Sequence, residues 1–330
     1  MEDQEDTMLR IGILGAAGIA PAAIIRPALR RDDTVVAAVA SRSVSAAGAY
    51  ARAHGIAGSY GAYEALLADP SIDLVYIALP PSEHARWSIA ALEAGKHVLC
   101  EKPFAMNRTE AEEMTATATA KGRRIFEAFH DRYHPLSSEM DRILASGRLG
   151  RLVSVHADFS ASIPFSPSSI RHDPRVGGGS LMDLGCYPVH QIRALVGEEP
   201  TVVRAVATLN PLGADLSMDA ELVFPSGVLA RASCNMIENT QFNSSVEMIG
   251  TAGTARVNNL VFPSRGHNIE IVVDGLTSAS TVAGNETYDH QLDAVVRGLE
   301  SGGALLTEGE DPVLNMAVMD AIYETAGFDR

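Results

Sequence analysis

Over the first 130 residues, short apolar runs alternate with amphipathic stretches, a pattern that reads as successive strand and helix units. Residues 10–14 form a short apolar strand, 21–30 a helix with Pro21 in its first turn, and 34–40 a valine-rich strand. The pattern then repeats. Residues 73–79 suit a central parallel strand, 84–94 a helix ended by Gly95, and 97–100 another strand. Asn107 and Glu110 have the spacing of a capping box opening a helix that Gly122 ends, and 124–129 is one more strand. Strands alternating with helices imply a doubly wound parallel sheet.

Beyond about residue 130 the grammar changes to longer stretches of period two. Strands are expected at 152–159, 201–209, 216–224, 228–236, 244–249 and 268–273, with helices at 134–146 and 180–195 and two closing helices at 288–299 and 311–326. The fold class is therefore α/β: an N-terminal doubly wound parallel sheet (1–130) and a C-terminal α+β domain (131–330) with a large, mostly antiparallel open sheet.

Composition narrows the function. The 330 residues carry a formal charge of -15, and this acidity argues against nucleic acid and anionic membrane surfaces as partners, while leaving room for a small anionic ligand in a local field. No apolar run is long enough to span a bilayer. Three cysteines without paired spacing, and an acidic start that lacks the layout of a secretory signal, point to a reducing cytoplasm.

Four stretches carry candidate chemistry. Between the first strand and helix, Gly15, Ala17 and Ala20 take the three fingerprint positions of a dinucleotide turn, with Gly18 and Ile19 inside it. Only the first is glycine, so the motif alone is weak. At the end of the second strand, Ser41 and Arg42 offer a hydroxyl and a guanidinium where an acid would bind the ribose of NAD, which favours the 2′-phosphate of NADP. Glu101-Lys102-Pro103 ends a central strand, at the edge where open parallel sheets bind ligands; proline there permits a cis bond after Lys102. Finally, the run from Gly177 to His190 joins an acid, a phenol and an imidazole: in a helix, Asp183, Tyr187 and His190 share one face. A phenol that trades protons at neutral pH needs a nearby cation, for which Lys102 is the candidate. Cys186 reads as a small packing residue, and none of the ten histidines has convincing metal-ligand spacing, so no metal is expected.

Together these motifs resemble the glucose-fructose oxidoreductase, inositol dehydrogenase and rhizopine-catabolism (Gfo/Idh/MocA) family over essentially the whole chain. The resemblance runs from Gly12–Ala17 through residues 92–103 and the Asp183/Tyr187 segment to Gly309-Glu310-Asp311. It implies a Rossmann domain followed by a domain whose open sheet faces the nicotinamide and builds a homodimer or homotetramer. By the same likeness Tyr187 is the acid/base, as in the glucose-fructose oxidoreductase, dihydrodiol dehydrogenase and NADP-xylose dehydrogenase branches, Lys102 tunes it, and Asp183 binds a substrate hydroxyl or orients Lys102. Leu79, Pro80 and His84 would flank the nicotinamide, Glu101 and Lys102 would reach the cofactor, and Arg171 would bind a substrate oxygen or serve as a surface residue; His190, read from the helix register, either faces the site as a substrate contact or packs between helices.

The expected function is an NADP(H)-dependent oxidoreductase acting on a secondary alcohol or ketone of a sugar-like or vicinal-diol substrate. Two alternatives stand beside it: a hydride-recycling enzyme that oxidises its sugar only transiently, and a noncatalytic nucleotide- or sugar-sensing protein. Two departures from the family pattern bear on the substrate. Pro81 stands where relatives often carry Asn, and His130-Asp131, before Arg132, stand where the sugar-active branches show a Met and an aromatic, so that His130 or Asp131 could read the substrate.

Overall fold

The computed structural model describes residues 8–328; the acidic start, residues 1–7, lies outside them. The chain forms two compact units, 1–128 with 288–312 and 129–287 with 313–330.

The first unit is built on six parallel strands, β1 (Leu9–Leu14), β2 (Thr34–Ala40), β3 (Gly58–Tyr60), β4 (Leu74–Ile77), β5 (His97–Cys100) and β6 (Ile125–Glu127), in the order 3-2-1-4-5-6. That order is the two-half dinucleotide-binding arrangement, with its crevice at the carboxyl ends of the strands beside the β1/β4 switch point. Helix Arg108–Lys121 is capped as its sequence foretold: Asn107 accepts from the Glu110 amide, and Gly122 closes it in the left-handed conformation. Residues 21–30, expected as one helix, open instead with a π turn, Pro21–Ile25, before helix Arg26–Leu29. Strand β3 and helices Val44–His54 and Tyr63–Leu67 complete the crossovers.

Helix Thr287–Ser301 lies late in the sequence, before the last helix, Asp311–Thr325, yet residues 288–312 pack with the first unit. The cause is apolar: Leu292, Val295 and Val296 are buried in the same core as Ile11, Ile13, Val39 and Tyr76. Arg30 to Asp289 (2.5 Å), Arg31 to Asp293 (2.8 Å) and Arg124 to Glu308 (2.5 Å) pin the segment from outside.

The second unit carries eight strands, β7 (Leu152–Ser160), β8 (Thr201–Leu209), β9 (Asp215–Val223), β10 (Leu229–Asn235), β11 (Asn243–Gly250), β12 (Gly253–Asn258), β13 (Asn268–Val273) and β14 (Leu276–Ser280), ordered 14-13-12-11-7-10-9-8. Only β7 and β10 pair in parallel. Strands β12 and β14 were not foreseen; β14 is exposed throughout, so it lacks the buried alternation by which a strand is read. Period two decides the faces. Val155, Ala157 and Phe159, Met218, Ala220 and Leu222, and Ala230, Ala232 and Cys234 are buried, while His156, Asp158, Asp219, Arg231 and Glu247 line an open polar concavity of about 510 Å³ on the other side.

Candidate functional site

In the first unit, parallel pairing brings the carboxyl ends of β1, β2, β4 and β5 to one edge, and with them Gly15–Ala20, Ser41–Arg42, Leu79–Pro80 and Glu101–Lys102. Gly15 is obligatory there. Its φ is +105°, and a Cβ would fall 2.5 Å from the Ala78 carbonyl oxygen, so the β1 turn presses against the end of β4. Ala16, Gly18 and Ile19 are exposed, a Cβ at Gly18 would meet no atom within 4 Å, and Ala20 is buried under the turn. Small side chains and open space over the first helical amides fit a pyrophosphate. Tyr50 fixes the turn by donating to the Ala17 carbonyl at 2.8 Å.

Arg42 is exposed immediately before Ser43, whose hydroxyl caps helix Val44–His54. A guanidinium beside a helix N-terminus suits a phosphate monoester, and no carboxylate follows β2.

His84 and Glu101 are committed inside the unit. The His84 ring nitrogens lie 2.9 Å from the Pro103 carbonyl and 2.8 Å from that of Leu79, so the imidazole ties the loop after β4 to the one after β5. Burial pulls its pKa down, against both carbonyls, which pull it up. Glu101 accepts the hydroxyl of fully buried Tyr76 at 2.5 Å, and Tyr76 is pushed well above the ordinary phenol range by burial and by this carboxylate. Lys102 is half-buried, and its bond to Pro103 is cis.

In the second unit, the glycine run sets the path of the Tyr187 helix. Gly178 has no room for a side chain, because a Cβ would meet the Ile170 carbonyl oxygen at 2.5 Å; Gly179 donates to the Arg171 carbonyl at 3.0 Å. The Arg171 loop is thereby laid against the helix start, and Arg171 Nε pairs with Asp183 at 2.8 Å. Helix 180–195 is not uniform. A π turn, Leu181–Gly185, precedes α-helix Cys186–Val196, so Asp183 and Tyr187 do not have the α-helical stagger that the spacing implied. Gly185 lets the helix lie close on β10, where a Cβ would sit 2.8 Å from Cys234 Sγ.

Tyr187 is 3% exposed, flanked edge-on by Phe129 and Phe159, with its hydroxyl 3.0 Å from His130 Nε2. His190 is stacked on Phe129 at 4.2 Å and buried. Cys186 is buried and forms no disulfide. His130 and Asp131 do not line an open wall: both are buried, His130 against Tyr187 and Asp131 as the acceptor of Gln191 Nε2 at 2.9 Å.

One residue escaped the sequence reading altogether. Asp215 accepts from Ser180 Oγ (2.6 Å), the Leu181 amide (2.7 Å) and the Tyr323 hydroxyl (2.9 Å), anchoring the start of the Tyr187 helix. Its only sequence signal is an acid at the first position of a strand in which apolar and polar residues are mixed. Among the described residues no group of three or more His, Cys, Asp or Glu is arranged to hold a metal, and no helix is long and apolar enough to cross a membrane.

Comparison with known proteins agrees with this architecture. Residues 9–129 match the Gfo/Idh/MocA model described as an oxidoreductase family with an NAD-binding Rossmann fold, and 138–256 match the Gfo/Idh/MocA C-terminal domain. The chain is 36% identical to a D-xylose 1-dehydrogenase (NADP(+)) of Haloferax volcanii, over 96% of this chain and 97% of the relative. It is 36% identical to the trans-1,2-dihydrobenzene-1,2-diol dehydrogenase of Sus scrofa over 76% of this chain and 74% of that one. A 3-ketoreductase from Actinomadura kijaniata, solved with NADP and TDP-benzene, superposes with a TM-score of 0.90 at 27% identity, covering 97% of this chain and 98% of the other. Fold, strand order and both halves of the sequence therefore lead to one conclusion: the chain belongs to the Gfo/Idh/MocA oxidoreductase family.

Proposed function

We propose that the protein is an NADP(H)-dependent oxidoreductase that moves a hydride between the nicotinamide and a secondary alcohol or ketone carbon of a sugar-like or vicinal-diol substrate. The observation that carries this reading is Tyr187: a buried phenol, hydrogen-bonded at its hydroxyl, one turn beyond an Asp183 held by Arg171. The relatives act, by name, on a sugar, a diol and a ketone.

The nicotinamide supplies the hydride acceptor or donor; the chain's own groups handle position and protons. The 15–20 turn holds the pyrophosphate on its amides, Ser41 and Arg42 bind the 2′-phosphate, and Leu79 and Pro80 flank the ring with His84 and Glu101 fixing their loops. Tyr187 exchanges the proton of the reacting oxygen. Lys102 stabilises the phenolate and the developing alkoxide, and Asp183, steered by Arg171, orients a substrate hydroxyl. His190, stacked on Phe129, is the second substrate-side residue of this reading. Residues 1–130 serve the cofactor and 131–330 the substrate, with self-association into a dimer or tetramer through the open sheet, whose polar face offers charges of both signs. Three buried cysteines that form no disulfide suit a reducing cytoplasm.

The test is the nicotinamide absorbance change with NADP⁺ or NADPH over a panel of pentoses, pyranoses, trans-diols and keto-sugars, with Tyr187→Phe in parallel. Turnover falling by roughly 10²–10⁴-fold in the variant supports the assignment. Equal rates in both proteins would remove Tyr187 from the chemistry, and tight nucleotide binding without turnover would favour hydride recycling or sensing.

A further inference from the structure

The Tyr187 hydroxyl is the first link of a buried three-member chain. His130 Nε2 lies 3.0 Å from it, and His130 Nδ1 lies 2.7 Å from Thr287 Oγ1; the three residues are 3%, 1% and 2% exposed. The imidazole is held edge-on to Tyr187 and tilted over Phe262, so its two nitrogens are aimed at two different hydroxyls.

We propose that His130 and Thr287 form a proton relay behind Tyr187, an inference that rests on the acid/base role given to Tyr187 above. The chain of hydrogen bonds can run in either direction. In one, Tyr187 donates to Nε2 while Nδ1–H donates to Thr287. In the other, Nε2–H donates to the Tyr187 oxygen and Thr287 donates to Nδ1. Shifting one proton along each link and releasing one at Thr287 converts the phenol of the first arrangement into a phenolate that accepts from Nε2–H. The imidazole is neutral before and after, which matters for a ring this deeply buried, because a charged form there carries the full desolvation penalty.

In alcohol oxidation the carbinol C–H pair leaves as hydride to the nicotinamide and the substrate O–H proton passes to the Tyr187 oxygen. The accepting oxygen is the phenolate left by the shift described above, in which Nε2 took the phenol proton, Nδ1 gave its own to Thr287 Oγ1 and the Thr287 proton passed to solvent; before the next turnover the ring returns to its Nδ1–H tautomer by proton exchange with water. One proton is released per hydride transferred, and reduction runs the chain backwards. Thr287 directly follows exposed residues 283–286, the segment through which the proton leaves to solvent in this proposal.

Other titratable groups on the surrounding segments are Asp131, Arg132, Tyr133 and His134 at the turn of His130, Asp183, His190 and Arg193 on the Tyr187 helix, Arg265 and His267 after Phe262, and Glu286, Tyr288 and Asp289 beside Thr287. Arg132 and Arg193 are engaged with Asp141 and Glu199. Asp131, whose carboxyl burial pushes up, accepts from Gln191, so Asp131→Asn is the control for its titration.

The experiment is the pH profile of kcat for His130→Gln, Thr287→Val and Thr287→Ser beside the parent, with melting temperature and nucleotide affinity measured for each. Thr287→Val keeps the shape and removes the hydroxyl. The relay predicts that kcat drops by roughly tenfold or more in His130→Gln and Thr287→Val, with the acid limb displaced by about one unit, while Thr287→Ser restores the parent profile. Folded variants with parental kcat and an unmoved limb would overturn it. The Cζ resonance of ¹³C-labelled Tyr187 gives a readout without turnover: its titration must move between parent and His130→Gln. If Tyr187→Phe keeps full activity, the fault lies in the role assigned to Tyr187; if only that variant is impaired, it lies in the relay.

Discussion

Asp215 occupies the space that a side chain at Gly179 would need, and from there it holds the start of the helix that carries Tyr187. Gly179 has φ +134°, a conformation that L side chains rarely adopt, so geometry and packing both demand glycine. Asp215→Ala would leave the Ser180 hydroxyl, the Leu181 amide and the Tyr323 hydroxyl without their acceptor. Each buried donor so stranded costs about 1–3 kcal/mol, so the variant is expected to lose roughly 3 kcal/mol or more in urea unfolding, and Gly179→Ala a comparable amount. A loss below about 1 kcal/mol would show that the helix start is held by other contacts.

Arg42 gives a prediction about cofactor choice. It is exposed, so its replacement should leave folding intact, and its proposed partner is the 2′-phosphate alone. Arg42→Ala is expected to raise KM for NADP⁺ by roughly 10–100-fold, the worth of a charge-assisted hydrogen bond, with little change for NAD⁺. Steady-state kinetics with both nucleotides decides it. Equal loss for the two would place Arg42 outside the phosphate site.

The pair of Arg171 with Asp183 separates stability from function. The Arg171 side chain is 56% exposed, so the ion pair is worth at most about 1 kcal/mol to folding. If it steers Asp183 toward substrate, Arg171→Ala should keep its melting temperature yet lower kcat/KM by roughly tenfold, chiefly through KM. Unchanged kcat/KM would reduce Arg171 to a surface residue.

Much of this was legible in the sequence because the signals are local. The valine-rich strand at 34–40 and the Asn107 to Glu110 cap depend on residues a few positions apart, and both elements form where the pattern places them. The parallel sheet then brings Gly15, Arg42 and Lys102 to one edge without further information, since strand order and direction fix that edge. What stayed hidden is non-local. Asp215 is 34 residues from the amide it caps, and Thr287 is 157 residues from His130; no periodicity joins such partners. The π turn at Leu181–Gly185 was equally invisible: Gly185 at its end packs against Cys234 on β10, a contact between residues 49 apart that no helical periodicity records. Residues 288–312 were read with the second domain from chain order, whereas the apolar face of Leu292, Val295 and Val296 decides their place in the first core.

Asp131 ties the same region to a pH dependence of stability whose sign can be worked out. Burial raises its carboxyl above the ordinary range, outweighing the Gln191 hydrogen bond and the charge of His190, which lower it. The folded protein therefore keeps this proton to higher pH than the unfolded chain. The stability linked to the group is present below the unfolded pKa and falls as pH rises through the raised folded one. Asp131→Asn removes the charge that burial penalises and still offers Gln191 Nε2 an acceptor. The variant is expected to melt above the parent at about pH 8, with the difference shrinking toward about pH 4, where the parent carboxyl is protonated as well. Scanning calorimetry across that range checks it. A variant that melts lower at every pH would mean that the ionised carboxylate is favoured in its pocket, and that the Gln191 and His190 interactions outweigh the cost of burial.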